Sequence, residues 1–286
     1  MWVTRRAFPE EHFVSTETLP GLRTAYAVDS NDIDRFRTEG YVRLRGVASP
    51  GEAGTYRQVI RDAALRYSRE TRPLAERDTY GRAFLQVSNL WQRDQAVARF
   101  VKAERFAGIA AKLLGCDRVR IYHDQALFKE PGGGLTPWHQ DAMYWPLEGN
   151  RMLTMWMPLV PISADMGGLV FAAGSHQRGP LSDVHISDAS EDHFHRLFAE
   201  SDYPPSEPIA MAPGDASFHA GWTAHKAPGN PTERMREVMT IIWHDADQVV
   251  QQPANPAQES DLRRWLPGLT PGDLAATPMN PVVHTS

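Results

Sequence analysis

His139 and Asp141 stand one residue apart in the stretch Thr136-Pro137-Trp138-His139-Gln140-Asp141. In an extended backbone alternate side chains share a face, so this spacing brings an imidazole and a carboxylate towards one point. With a second imidazole from elsewhere, such a pair makes the two-histidine, one-carboxylate set that non-haem Fe(II) oxygenases use. The spacing by itself is also that of an ordinary surface strand. A third ligand and an anchor for a cosubstrate are needed to separate the two.

The chain has 11 histidines, so a third ligand is not scarce. His176, His185, His193, His195, His219, His225 and His244 follow the motif. His185, His193 and His195 lie in polar sequence that suits a surface. His219 and His225 flank the turn Ala220-Gly221-Trp222-Thr223-Ala224, and either could return an imidazole to the pair. Arg236 follows His225 by 11 residues and alternates in phase with Val238, Thr240 and Ile242. A guanidinium among inward apolar positions is costly unless it meets an anion. Its planar fork suits bidentate grip on a carboxylate. The alternative is an outward-facing arginine beside Arg234.

These residues must be carried by a scaffold, and the chain reads as helices followed by many short strands. Residues 1–28 lack sustained periodicity and read as an N-terminal extension. A short helix opens at Ser30-Asn31-Asp32 and stops at Gly40. Tyr41 to Val47 alternates as a half-buried strand. Ser49-Pro50-Gly51-Glu52 is a capping box, and its helix carries Tyr56, Val59, Ile60, Ala63 and Tyr67 on one stripe. Residues 72–93 read as irregular. Asp94 then caps a second long helix with Val97, Val101, Ile109 and Leu113, closed by Gly115.

Past Cys116 the period changes to two. Val119, Ile121, Gln125 and Leu127 read as one face of a strand, with His123 between them. The glycines 132–134 open no helix, which argues against a phosphate-cradling loop. Further strands fall at 152–160, 168–171 and 216–220, with a final one over 236–244. Residues 172–207 read as a long insertion or lid. The Pro-containing tail from Gln251 reads as wrapped rather than folded. Short strands with turn signals and no βαβ alternation predict a mainly β fold with flanking helices, a double-stranded β-helix or jelly roll, in a single domain over 1–286.

Hydrophobic content of 42% and charged content of 23% are ordinary for a globular protein with a sizeable core. A net charge of -5 argues against nucleic acid as a partner. No run approaches the roughly 18 apolar residues of a membrane span. Met1 to Phe13 has no apolar core of a secretory signal, and the lone Cys116 suits a reducing compartment. The expectation is a cytoplasmic protein of undetermined oligomeric state acting on a small molecule.

Five segments together carry a likeness. They are Phe36 to Val42, Trp138-His139-Gln140-Asp141, Gly167-Gly168-Leu169 through Gly174-Ser175-His176, Pro213-Gly214-Asp215, and His225 to Asn230 followed by Arg236. In this order and spacing the chain resembles the phytanoyl-CoA dioxygenase family of Fe(II)- and 2-oxoglutarate-dependent oxygenases. The resemblance implies that His139, Asp141 and His225 bind iron, His225 being preferred to His219 by its distance from Arg236. It implies that Arg236 grips the distal carboxylate of 2-oxoglutarate, with Gln125 and Trp156 lining the same pocket. Trp145 is similar to a residue near cosubstrate and substrate, and Tyr144 and Met143 beside it suggest a hydrophobic substrate pocket. The family often has a hydroxyl residue two positions after the last histidine, where this chain has Ala227; either Arg236 acts with less help, or Thr240 or water substitutes.

The resemblance further implies oxidation of an unactivated C–H bond of a small, mostly apolar metabolite by O2, with release of succinate and CO2. Asp141 argues against halogenation, because its carboxylate fills the coordination position a halide needs. Cyclisation, epimerisation or desaturation are alternative outcomes of the same chemistry. A redox-neutral metal isomerase or hydrolase would keep the three ligands but have no use for Arg236. A binding module that has lost catalysis would be expected to have lost a ligand.

Overall fold

The computed structural model describes residues 18–285. Helix α1 (Ser30–Glu39) is capped by Asp29, whose side chain accepts from the Asp32 amide, one residue before the expected start. It ends on Gly40 at φ +83°. There a Cβ would lie 2.5 Å from Thr223 Oγ1, so both conformation and space require glycine. The capping box at Ser49 and Glu52 forms as expected and starts α2 (Pro50–Tyr67). Its stripe of Tyr56, Val59, Ile60 and Ala63 is buried.

Most strands follow in two sheets. The large one runs β1 (Tyr41–Leu44), β7 (Ala216–Ala220), β5 (Met152–Pro158), β9 (Arg236–Asp245), β3 (Arg118–Lys129) and β10 (Val282–Thr285), with β2 (Leu85–Ser88) also pairing β3. The small sheet is β4 (Thr136–His139), β8 (His225–Ala227) and β6 (Val170–Phe171). Every ladder is antiparallel. Two antiparallel sheets with flanking helices are the expected jelly roll.

Period two sorts the large sheet into two buried faces. Met155, Phe218, Met239, Ile241 and Trp243 pack with the helices in the main core. The intervening Thr154, Trp156, His219, Arg236 and Thr240 face the small sheet and line a cavity. The inward phase of Arg236 is thus as the sequence predicts.

Several expectations are corrected. A bulge between Ile121 and His123 in β3 shifts the register, so Val119 and Ile121 enter the main core while Gln125 and Leu127 face the cavity. They do not share a face, because one inserted residue reverses every later side chain. The expected second long helix is two, α4 (Gln95–Val101) and α5 (Glu104–Leu114), broken at Lys102-Ala103. The irregular stretch before it holds α3 (Thr79–Ala83) and β2.

The tail is folded as well. It forms α7 (Pro256–Trp265), capped by Asn255, and β10, so β9 is not the last strand. Residues 1–17 of the expected extension lie outside the described residues; within its remainder Leu19 and Leu22 are buried in the main core, so that part is no free arm. In the 172–207 stretch α6 (Asp188–Ala199) lays Phe194 with Trp138 and Ala172 on the small sheet. Glu191 fastens it there, accepting from the Trp138 amide at 2.9 Å and from Lys226 Nζ at 2.7 Å. Among the described residues no helix is long and apolar enough to cross a membrane.

Candidate active site

His139 and His225 are direct cross-strand partners on β4 and β8, with ring centroids 4.1 Å apart. The backbone stays extended through Gln140 and turns into a short 3-10 helix at Asp141, preserving the alternation that brings His139 and Asp141 together. Asp141 Oδ1 lies 3.6 Å from His139 Nε2 and 3.8 Å from His225 Nε2. One ligand atom from each of the three residues lies within 4.8 Å of the others.

The ring orientations suit a metal. His139 Nδ1 is 2.8 Å from the Pro137 carbonyl and His225 Nδ1 is 3.0 Å from that of Thr223. Each Nδ1 therefore carries the proton and each Nε2 lone pair is left for a cation, the usual arrangement of a ligating histidine. Burial pushes both imidazoles down to about 4, aided by His225 beside His139 and by His219 beside His225, so they are neutral at neutral pH. For Asp141 burial works against ionisation, but His225, His219 and His139 outweigh it and hold the carboxyl far below its ordinary range. Two neutral imidazoles and one carboxylate are the donor set of an iron site, and they fit it.

The other carboxylate oxygen is held from the large sheet. Thr154 Oγ1 donates to Asp141 Oδ2 at 2.7 Å, and His219 Nε2 lies 3.3 Å from the same atom. Thr154 and His219 are themselves cross-strand partners on β5 and β7. His219 is thus an orienting neighbour of the site rather than a member of the triad. Gln140, pointing the opposite way, holds the carbonyls of Gly179 and Trp222 and accepts from the Leu181 amide.

The triad opens into a cavity of about 410 Å³ that also contains Arg236, Gln125 and Trp156. Arg236 is 1% exposed. It donates to the Gly167 carbonyl at 2.6 Å, its guanidinium carbon is 5.5 Å from the Trp156 ring centre, and its Nε has no partner. Burial alone pushes it down to about 9, so it remains charged. Gly167, at φ +73°, has no room for a side chain: a Cβ would lie 3.0 Å from the Pro228 carbonyl and 3.3 Å from Arg236.

Lys129, opposite Arg236 in the β3–β9 register, is fully buried. It donates to the Gly134 carbonyl and lies 3.3 Å from Thr136 Oγ1. Burial and then Arg236 push its ammonium down to about 6. Among the described residues neither cation has an ion-pair partner. A buried unpaired charge such as Arg236 costs several kcal/mol, so this end of the cavity is built for an anion.

Tyr144 and Trp145 line the cavity as expected. Met143 does not: it is buried, and its carbonyl accepts from Asn255 and Gln258 at the start of α7. The aromatic run makes the three look alike in sequence, but the 3-10 turn after Asp141 points Met143 elsewhere. Sequence reasoning missed Thr136, Thr154 and Lys129, which carry no motif, and missed Asp261, Arg264 and Trp265, which α7 places at the cavity. The in-phase position of Lys129, two residues beyond Leu127, was the one available signal.

A jelly roll whose two sheets close around a two-histidine, one-carboxylate centre defines the class of non-haem iron and 2-oxoglutarate oxygenases. Residues 36–238 match the phytanoyl-CoA dioxygenase (PhyH) family, and the chain belongs to it. It is a dioxygenase with iron and 2-oxoglutarate as cofactors. The chain is 24% identical to the methylphosphonate hydroxylase of Gimesia maris, with 82% of this chain and 83% of that one covered. It is 27% identical to the 1-deoxypentalenic acid 11-beta-hydroxylase of Streptomyces exfoliatus, covering 70% and 74%. Among solved structures, the non-haem alpha-ketoglutarate-dependent carbocyclase SnoK from nogalamycin biosynthesis superposes with a TM-score of 0.73 at 24% identity, covering 89% of this chain and 96% of that one. The epimerase SnoN, in complex with Fe3+, alpha-ketoglutarate and nogalamycin RO, gives 0.71 at 23% identity, covering 89% and 98%.

Proposed function

We propose that the enzyme oxidises, by hydroxylation, an unactivated C–H bond of a small metabolite, with Arg236 as the anchor of 2-oxoglutarate. The observation that carries this reading is a buried guanidinium with a free donor in the same cavity as the triad and no protein carboxylate to meet it. A redox-neutral metal enzyme has no use for such a group.

When bound, iron and 2-oxoglutarate supply oxidative decarboxylation coupled to attack on a substrate C–H bond, releasing succinate and CO2. The chain's own residues do the positioning. His139, Asp141 and His225 would hold the metal, and Thr154 and His219 fix which oxygen of Asp141 is offered. Arg236 receives the distal carboxylate, and the positive field of Lys129 behind it strengthens that grip.

The missing hydroxyl at Ala227 is replaced from across the small sheet. Thr136 is the register partner of Ala227 and lines the cavity. Thr240, the substitute expected from sequence, donates its hydroxyl to the Gln125 carbonyl at 3.2 Å instead. Gln125 and Trp156 form the sides of the cosubstrate pocket. Tyr144 and Trp145 face the substrate and help exclude water from the reacting centre. Residues 172–207 act as its cover, with Ile186 reaching the cavity and its amide donating to Tyr144 Oη at 2.9 Å. The names of SnoK, SnoN and the pentalenic acid hydroxylase support a place in antibiotic or other secondary-metabolite tailoring.

The test is anaerobic addition of Fe(II) and 2-oxoglutarate, followed by the charge-transfer absorption of the chelated cosubstrate. The band is expected in the native protein and should demand far more 2-oxoglutarate in Arg236→Ala. No band in the native protein would remove the oxygenase reading, and an unchanged affinity in the variant would remove Arg236 from its role.

A further inference from the structure

The cavity has a second polar end, away from Arg236. His123 pairs with Ile242 on β9, six residues from Arg236, a separation of roughly 20 Å along the strand. Its ring lies 4.8 Å from that of Trp265, and its buried Nδ1 has no hydrogen-bond partner. Burial pushes the imidazole down to about 3, so at neutral pH it is uncharged, with one donor and one acceptor nitrogen. A buried polar nitrogen without a partner is costly, and a ligand group is what remains to meet it.

Asp261 reaches the same end from α7. Tyr122 Oη lies 3.3 Å from its Oδ2, and burial pushes the carboxyl up to about 7. Arg264, one turn further along α7, also lines the cavity but is exposed, so solvent screens its charge. Ser88 and Gln86 of β2 and the Tyr80 hydroxyl, which also line the cavity, are neutral. This end therefore has hydrogen-bonding groups but no buried fixed charge with which to select an ammonium or a carboxylate. Tyr144, Trp145 and Trp265 add flat apolar surface around it. Helix α7 lies beyond residue 238, where the family match ends, so this wall is not part of the matched scaffold.

We propose that His123 and Asp261 form a recognition pair for a neutral hydroxyl on an otherwise apolar, ring-sized substrate, holding that hydroxyl away from Arg236 and presenting a carbon beyond it to the triad. The inference rests on the oxygenase reading and names the substrate class of the same site. The pair specifies orientation, since a site built to hydrogen-bond a hydroxyl discriminates strongly against the analogue lacking it.

The experiment loads the full chain with Mn(II) and 2-oxoglutarate and titrates four probes by ligand-observed NMR. They are 4-methylcyclohexanol, methylcyclohexane, 4-methylcyclohexylamine and 4-methylcyclohexanecarboxylate. The alcohol is expected to bind at least about fivefold tighter than the other three. Manganese should relax the protons at its methyl end more than those beside the hydroxyl. His123→Phe and Asp261→Leu should lower its affinity to that of methylcyclohexane, whereas Asp261→Asn retains the preference, and 2-oxoglutarate affinity should stay unchanged in all three. Equal binding of alcohol and hydrocarbon, tighter binding of the amine or carboxylate, reversed relaxation, or loss of the preference in Asp261→Asn would each overturn the proposal while leaving the cosubstrate site standing. Failure of the native protein to bind 2-oxoglutarate would overturn the oxygenase reading and this one with it.

Discussion

His219 Nε2 lies 3.3 Å from Asp141 Oδ2, while the other oxygen of that carboxylate faces His139 and His225. One carboxylate thus has a metal side and a support side, and the two candidate histidines of the second half are divided between them. His139→Ala and His225→Ala are expected to abolish iron retention. His219→Ala should keep iron with affinity lowered about 10- to 100-fold, as loss of an outer partner does. Metal analysis of the three purified variants checks the ranking, and the reverse order would show that the wrong histidine was assigned to the triad.

Arg236 and Lys129 lie side by side in the β3–β9 register, with no carboxylate partner among the described residues. Arg236→Ala should weaken 2-oxoglutarate by at least about 30-fold, near 2 kcal/mol, because a buried ligand carboxylate loses its partner. Lys129→Met should weaken it too, yet raise the melting temperature of the ligand-free protein below pH 6, where the ammonium is a buried like charge beside Arg236. Titration of the chelate absorption and thermal unfolding read the two effects separately. A lysine with a purely structural role would lower the melting temperature instead.

Lys129 also gives the cosubstrate affinity a pH dependence. Its ammonium is pushed down to about 6 when no anion is bound, so it is largely neutral at pH 7. An arriving carboxylate favours the charged form and raises that value, so binding takes up a proton above pH 6. Affinity is therefore highest below pH 6 and declines as pH rises through 7 and 8. Calorimetry of 2-oxoglutarate binding in phosphate and in Tris at pH 7.5 should reveal the uptake, and Lys129→Met should lack it.

Gly214, in the motif Pro213-Gly214-Asp215, sits at φ +88°, and a Cβ there would lie 2.1 Å from the Ala48 carbonyl oxygen. Its own carbonyl accepts from the Ala48 amide at 2.9 Å, tying the turn before β7 to the start of α2. Gly214→Ala combines left-handed strain of about 1–2 kcal/mol with a backbone clash, so a loss above about 2 kcal/mol is expected in urea unfolding. Gly149→Ala, also at positive φ but with open space around it, should show the strain alone.

Local patterning was enough to place much of this protein. The spacing of His139 and Asp141 needed only an extended backbone, which the structure keeps through Gln140. The inward phase of Arg236 needed only period two over β9, and the capping box at Ser49 and Glu52 needed only its own four residues. The choice of His225 over His219 came from a spacing shared with a family. Nothing local separates them, since both emerge near one turn and both reach Asp141.

Tertiary structure decided what depends on register and on distant segments. The bulge at Ile121–His123 inverted the faces of β3, because one extra residue reverses all later side chains and leaves no mark in composition. Thr136 comes opposite Ala227 because β4 and β8 pair there. Lys129 joins Arg236 because β3 and β9 are neighbours. Helix α7 comes back to the cavity from a stretch that, read alone, had no apolar period strong enough to show that it folds. Sequence spacing governs side chains that share one segment, whereas a site assembled from many segments takes its remaining members from the way those segments pack.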